Sequence, residues 1–147
     1  MAASKILITD DDVDTCEILS DIFRERGYGV VTAGTGSEAV DKAGQTTFDV
    51  ALIDIRLPDM EGLELIAALK GMQADMVVVM ITGYASVETA VRALNEGASA
   101  YILKPLNMDE VLAAVKEALE KRRLVIENRR LYEEVQRELG EACRIPF

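Results

Sequence analysis

The side chains best suited to chemistry stand where apolar runs end. Asp10 and Asp11 follow Ile6-Leu7-Ile8, Asp54 follows Val50-Ala51-Leu52-Ile53, Thr82 follows Val77 to Ile81, and Lys104-Pro105 follows Tyr101-Ile102-Leu103. Carboxylates crowded together repel one another and need protons or a cation between them. With only oxygen ligands on offer, a hard divalent ion suits the group, and Mg²⁺ suits a site that keeps several waters and also touches phosphate. One carboxylate can then act as a nucleophile toward phosphorus, giving an aspartyl phosphate. The Lys104 ammonium and the Thr82 hydroxyl can hold the phosphoryl oxygens that the metal leaves unneutralised. These residue types together describe a phosphoryl-accepting pocket.

Such a pocket exists only if the four runs are parallel strands whose carboxyl ends share one sheet edge, the place where open α/β sheets bind ligands. The intervening segments have the required helical periodicity. A helix from about Val13 to Arg26 would bury Ile18, Leu19, Ile22 and Phe23, with Asp12 as its cap and Gly27 at its end. Gly27 and Gly29 flank a turn into a short strand around Val30 to Ala33, after which Ser37 caps a helix running to about Ala43. The Leu57-Pro58-Asp59-Met60-Glu61-Gly62 stretch has turn chemistry and leads into a helix from about Leu63 to Gly71. A fourth strand, Met76 to Ile81, precedes a helix from about Val87 to Glu96 that Gly97 stops. The nearly unbroken apolar character of the strands implies helices on both sheet faces. Taken singly, Thr82 reads as a structural hydroxyl, Lys104 as a solvated charge and Tyr101 as half-buried packing. Their common placement at the carboxyl ends of separate strands is what sets them apart.

At 147 residues and 50% hydrophobic content the chain can bury a real core, and no apolar run nears the ~20 residues of a membrane span. The start MAASKILITDDD reaches an acidic strand end too soon for a signal peptide, so a cytoplasmic protein is expected. Cys16 and Cys143 are too few for a disulfide scaffold and lack metal spacing, which leaves two reduced thiols. A net charge of −10 argues against direct nucleic-acid contact. The basic cluster Lys121-Arg122-Arg123 with Arg129-Arg130 is interleaved with glutamates, as on a solvated helix face. The chain has no histidine, so any phosphohistidine donor belongs to another protein.

In its motifs the segment from about Lys5 to Lys121 resembles the receiver domain of two-component response regulators. ILITDDD resembles the family's acidic pair, DVALIDIRLPDMEG its phosphoacceptor segment, VVVMITGYAS its switch hydroxyl segment, and GASAYILKPL its switch aromatic and Lys-Pro pair. The resemblance implies a flavodoxin-like, doubly wound five-stranded parallel sheet of order 2-1-3-4-5. It implies Asp54 as phosphoacceptor, with Mg²⁺ held by Asp11, Asp54 and the Arg56 backbone carbonyl and by Asp10 through water. It further implies Lys104 as the phosphoryl-binding cation, Thr82 and Tyr101 as the switch pair, a cis Lys104-Pro105 bond, and a sensor histidine kinase as partner. Rival classes fit less well. A haloacid dehalogenase-type phosphatase needs Asp-x-Asp-x-Thr or Val, but Asp14 or Cys16 falls at the last position. Aspartates after the first strand would repel a flavin phosphate.

The last helix begins with Asn107 as cap and Glu110 in capping-box position, and nothing obvious stops it before Gly140. Met108 to Leu139 is thus expected as one helix of about 48 Å at ~1.5 Å per residue. Val111, Leu112, Val115, Ala118 and Leu119 would pack it on the sheet, whereas Leu124, Asn128, Leu131 and Val135 step as a heptad seam. A buried Asn128 would favour an in-register homodimer. The seam is short, so a solvated helix is the other reading. The division is 1–121 receiver and 122–147 helical linker. The linker and TGYASVETAVRALNEGA resemble enhancer-binding activators of the nitrogen-regulation type, which implies a downstream effector, absent from these residues, and control of transcription. Ala100 and Leu106 depart from the acidic residue and the aromatic common near those positions.

Overall fold

The structure, a computed structural model, describes residues 4–83 and 86–142, with side chains through 140. Tyr84, Ala85, Cys143 and the rest of the 143–147 tail lie outside the described residues. Strands and helices alternate along the chain: β1 (Lys5–Thr9), α1 (Val13–Glu25), β2 (Gly29–Ala33), α2 (Gly36–Gln45), β3 (Val50–Asp54), α3 (Gly62–Met72), β4 (Val77–Thr82), α4 (Val87–Asn95), β5 (Ala98–Leu103) and α5 (Met108–Ala142). The five strands are all parallel in the order β2-β1-β3-β4-β5, the flavodoxin-like arrangement.

Side chains alternate between the faces of a strand, so β1 sends Leu7 one way and Ile6 and Ile8 the other. Leu7 meets Ala39 of α2, Ile66 of α3 and Ala93 of α4 in one apolar layer. Ile6 and Ile8 meet Leu19 and Phe23 of α1 and Val111 and Val115 of α5 in the second. Burying a Leu, Ile or Phe contributes about 1.5–3 kcal/mol each, so this two-sided packing holds the helices where they lie. β3 and β4 are buried along their whole length.

Two local expectations need correction. Ile18 is 52% exposed and Ile22 only half-buried, because the buried stripe of α1 is Cys16, Leu19, Ser20 and Phe23. That set follows i, i+3, i+4, i+7 spacing, and Ile18 lies off it. The cap of α2 is Thr35, not Ser37: its hydroxyl accepts from the Glu38 N–H at 3.1 Å while its backbone is extended. Ser37 already lies within the first turn.

Helix α5 is longer than the expected Met108 to Leu139 by three residues. Gly140 does not end it, since a helical glycine costs only about 1 kcal/mol relative to alanine. Asn107 caps it by accepting from the Asp109 and Glu110 N–H groups at 3.0 and 3.2 Å. Val111, Val115 and Ala118 are buried, whereas Leu124, Val125, Leu131, Val135 and Leu139 are exposed and Ile126 is half-buried. The helix crosses residue 121 without a break. Three of its arginines are paired: Arg122 with Asp49 at 3.2 Å, Arg123 with Glu120 and Glu127, and Arg129 with Asp75 at 2.9 Å. No described helix is long and apolar enough to cross a membrane.

Candidate functional site

Parallel packing brings the ends of β1, β3, β4 and β5 to one edge. Asp10 follows β1 directly and is 1% exposed. Its Oδ1 accepts from the Asp12 N–H at 2.9 Å, and its own N–H donates to Ala33 O at the end of β2. Asp54 is the last residue of β3 and is 7% exposed. The Arg56 N–H donates to its Oδ1 at 3.1 Å. Asp11 stands at the mouth, exposed, and one oxygen from each of Asp10, Asp11 and Asp54 lies within 4.8 Å of the others.

Lys104 enters from the end of β5. Its Nζ donates to Asp10 Oδ2 at 2.7 Å and to Asp54 Oδ2 at 3.0 Å, bridging two carboxylates 44 residues apart in sequence. Its N–H donates to Thr82 O at 2.7 Å, which ties the ends of β4 and β5 together, and the following Lys104-Pro105 bond is cis. Thr82 is buried at the end of β4. Tyr101 pairs with Met80 across β4 and β5, half-buried against the layer formed with α2, α3 and α4.

Electrostatics follow from burial and from one cation shared by two anions. Burial pushes the Asp10 carboxyl above its ordinary value, and the charge of Asp54 adds to this, although the Lys104 hydrogen bond pulls the other way. Burial disfavours the Lys104 ammonium, but its bonds to Asp10 and Asp54 outweigh that and hold its pKa up. Nearby, burial and the Asp10 charge push the Cys16 thiol to about 11, so it is inert packing. With all three carboxylates ionised, one ammonium leaves two formal negative charges uncompensated. An oxygen-only donor set with that deficit, two of its carboxylates buried and the third at the mouth, fits a hard divalent cation such as Mg²⁺.

Sequence reading missed some of the supports. A Cβ on Gly62 would lie 2.5 Å from Asp54 O and 2.7 Å from Ile55 Cα, so only glycine lets α3 start this close to the acceptor strand. Asp59, read as part of a turn, caps α2 from outside that helix: its Oδ1 and Oδ2 accept from the Gly36 and Ser37 N–H groups at 2.8 and 2.9 Å. No local pattern announces a bond between residues more than 20 positions apart.

The family model for the response regulator receiver domain matches residues 6–116. The chain belongs to the response regulator receiver family. This receiver is 40% identical over 119 residues to the transcriptional regulatory protein ZraR of Klebsiella oxytoca, a match covering 81% of the chain and 27% of that protein. It therefore spans about a quarter of the length of that curated relative. Among solved structures it is similar to a CheY-like receiver domain protein from Methanospirillum hungatei, with 41% identity and a TM-score of 0.80 over 82% of this chain and 97% of that one. It is also similar to a beryllofluoride-activated NtrC4 receiver domain dimer, with 36% identity and a TM-score of 0.77 over 80% and 98% of the two chains. The receiver is thus a two-component signalling module related to transcriptional activators.

Proposed function

We propose that this receiver takes a phosphoryl group from the phosphohistidine of a sensor kinase onto Asp54 and uses it as a cytoplasmic switch for an output, most directly transcription. The observation that carries this reading is the Lys104 ammonium bridging Asp10 and Asp54 beside the exposed carboxylate of Asp11. An Asp54 carboxylate oxygen attacks phosphorus, forming an O–P bond as the N–P bond of the donor breaks and the histidine leaves. Lys104 meets negative charge on the phosphoryl oxygens, and the Thr82 hydroxyl donates to another. Asp11, Asp54 and the Arg56 carbonyl would hold Mg²⁺, with Asp10 acting through water, and the ion would supply charge neutralisation for the transferring group. The chain promotes only its own phosphorylation and dephosphorylation.

The kinase would dock where apolar surface adjoins the site. Thr15 and the outward-facing Ile18 of α1 share a groove of about 230 Å³ with Lys104, Pro105, Leu106 and Met108. Once Asp54 is phosphorylated, Thr82 moves toward the phosphoryl group and Tyr101 fills the space vacated. The population then shifts on the face made by α4, β5 and α5. Leu124, Asn128, Leu131 and Val135, exposed in the single chain, join two copies through α5, and Tyr132 and Leu139 widen that stripe.

The decisive experiment is labelling by acetyl phosphate with Mg²⁺, read by intact mass. The parent is expected to gain one phosphoryl group, a gain that chelating Mg²⁺ beforehand prevents, and Asp54→Asn to gain none. Undiminished labelling of Asp54→Asn would move the acceptor elsewhere.

A further inference from the structure

The segment between Asp54 and α3 is a small closed loop. Its neck is made by the Gly62 N–H donating to Ile55 O at 2.7 Å and by the antiparallel bridge between Arg56 and Glu61. Its first peptide touches the acceptor, since the Arg56 N–H donates to Asp54 Oδ1. A loop closed only at its neck would leave its tip, residues 57–60, free to rock on the Arg56–Glu61 bridge. Here the tip is also moored, 22 and 23 positions away in sequence, on the start of α2.

The mooring has polar and apolar parts. Asp59 accepts from the Gly36 and Ser37 N–H groups through separate carboxylate oxygens. These are among the first donors of α2, which lack partners within their own helix and carry its positive end. Thr35 satisfies a further one, at Glu38. Met60 is seated directly on Gly36, where any Cβ would overlap its side chain. The bonds from Ser37 and Gly36 hold the Asp59 carboxyl below its ordinary value, so it is ionised at neutral pH and accepts through both oxygens. The anchoring segment in turn begins at Ala33, whose carbonyl accepts the N–H of Asp10. A continuous hydrogen-bonded path therefore runs from Asp10, around the end of β2, through Asp59 and back along the loop to Asp54.

We propose that Asp59 is a positioning residue for the phosphoryl-accepting site: by mooring the loop tip on the amino end of α2, it fixes the Arg56 peptide, and with it the Arg56 carbonyl, relative to Asp54. This rests on the metal-binding, phosphoryl-accepting reading above and adds a residue to it. Asp59 touches neither metal nor phosphoryl group and acts through Arg56.

The test compares Asp59→Ala and Asp59→Asn with Thr35→Ala in the full chain. Thr35→Ala also removes a cap from α2 but leaves the loop moored, so it separates loop anchoring from helix stability. Amide exchange in the absence of metal, a Mg²⁺ titration and thermal midpoints are read for each. Asp59→Ala is expected to speed exchange across residues 56–61 and at Gly36 and Ser37. It should weaken Mg²⁺ binding by about tenfold, the low end of what loss of an outer partner of a metal ligand costs. Thr35→Ala should lower the thermal midpoint with unchanged Mg²⁺ affinity and unchanged exchange over 56–61. Asp59→Asn, which keeps an acceptor oxygen, should recover part of the Mg²⁺ affinity. Unchanged loop exchange in Asp59→Ala, or equal loss of Mg²⁺ affinity in Asp59→Ala and Thr35→Ala, overturns the proposal. A parent that binds no Mg²⁺ overturns the metal reading of the site instead, and the exchange comparison then decides the mooring by itself.

Discussion

Lys104 carries opposing demands at the residue scale. Without metal it is the internal counter-charge of Asp10 and Asp54, and the same carboxylates must also meet a divalent ion. Lys104→Met keeps the side chain's bulk and removes its charge. The variant should lose about 1–3 kcal/mol of stability in chelator, the usual cost of leaving charged acceptors without their donor. It should bind Mg²⁺ more tightly than the parent, because the ion no longer competes with an ammonium. Urea unfolding with and without Mg²⁺ checks both; equal stability in chelator would mean that the bridge is idle. The pH dependence has a definite sign. Lys104 has a raised folded pKa, so its contribution is full below the ordinary value of 10.5 and disappears as pH climbs through the folded value. Asp10, also raised, favours the folded state most below 3.8, and that contribution declines as pH rises through its folded value. The gap between parent and Lys104→Met should therefore be widest once Asp10 has ionised and close in strong alkali.

At the scale of elements, α5 reaches past the sheet and is clipped to its amino edge, opposite the acidic site. Arg122 pairs with Asp49, just before β3, and its Nε donates to Asp75 O in the turn before β4. Arg129, two turns on, meets both oxygens of Asp75 at 2.9 Å. The strands that end at Asp54 and Thr82 thus begin beside the start of the extension. Exposed ion pairs contribute roughly 0–1 kcal/mol, so Asp75→Ala should barely move the thermal midpoint. It should speed amide exchange over residues 122–130, and 1 M salt, with its screening length of about 3 Å, should speed exchange there in the parent as well. Exchange in that stretch indifferent to both changes would show that the clip does not hold the helix.

For the whole molecule, the decisive geometry is which side of α5 meets the receiver. Arg122 and Arg129 mark that side, and Leu124 and Leu131, each two residues further on, lie about 200° around the helix at ~100° per residue. The apolar stripe therefore points away from its own receiver and is available to a second copy while the clip stays closed. Leu131→Asp should shift sedimentation from dimer toward monomer by at least tenfold in dissociation constant, the scale of ~1.4 kcal/mol for one charged side chain at a small apolar seam. Removing the flanking Arg123 ion pairs should do far less. A monomeric parent, or a variant that dimerises as well as the parent, would leave a monomeric switch read by a separate partner.

What the linear chain determined was everything set by local periodicity and residue type: apolar runs of strand character, helices between them, Asp10, Asp11, Asp54, Thr82 and Lys104 at strand ends, and Asn107 opening a helix that runs far past the sheet. A parallel sheet requires strand ends to share an edge, so placing those residues along the chain already placed them together. Other features depended on surfaces that exist only after packing. Ile18 is apolar yet faces outward because Cys16, Leu19, Ser20 and Phe23 define the side of α1 that meets the sheet. Thr35 displaced Ser37 as cap because the chain leaves β2 extended through it. Asp59, Arg122 and Arg129 are ordinary polar residues in sequence, and each found its partner 22 or more positions away. Local pattern reports the few neighbours a residue has along its own element; a hydrogen bond or ion pair across the fold depends on where two elements come to rest, and only tertiary packing decides that.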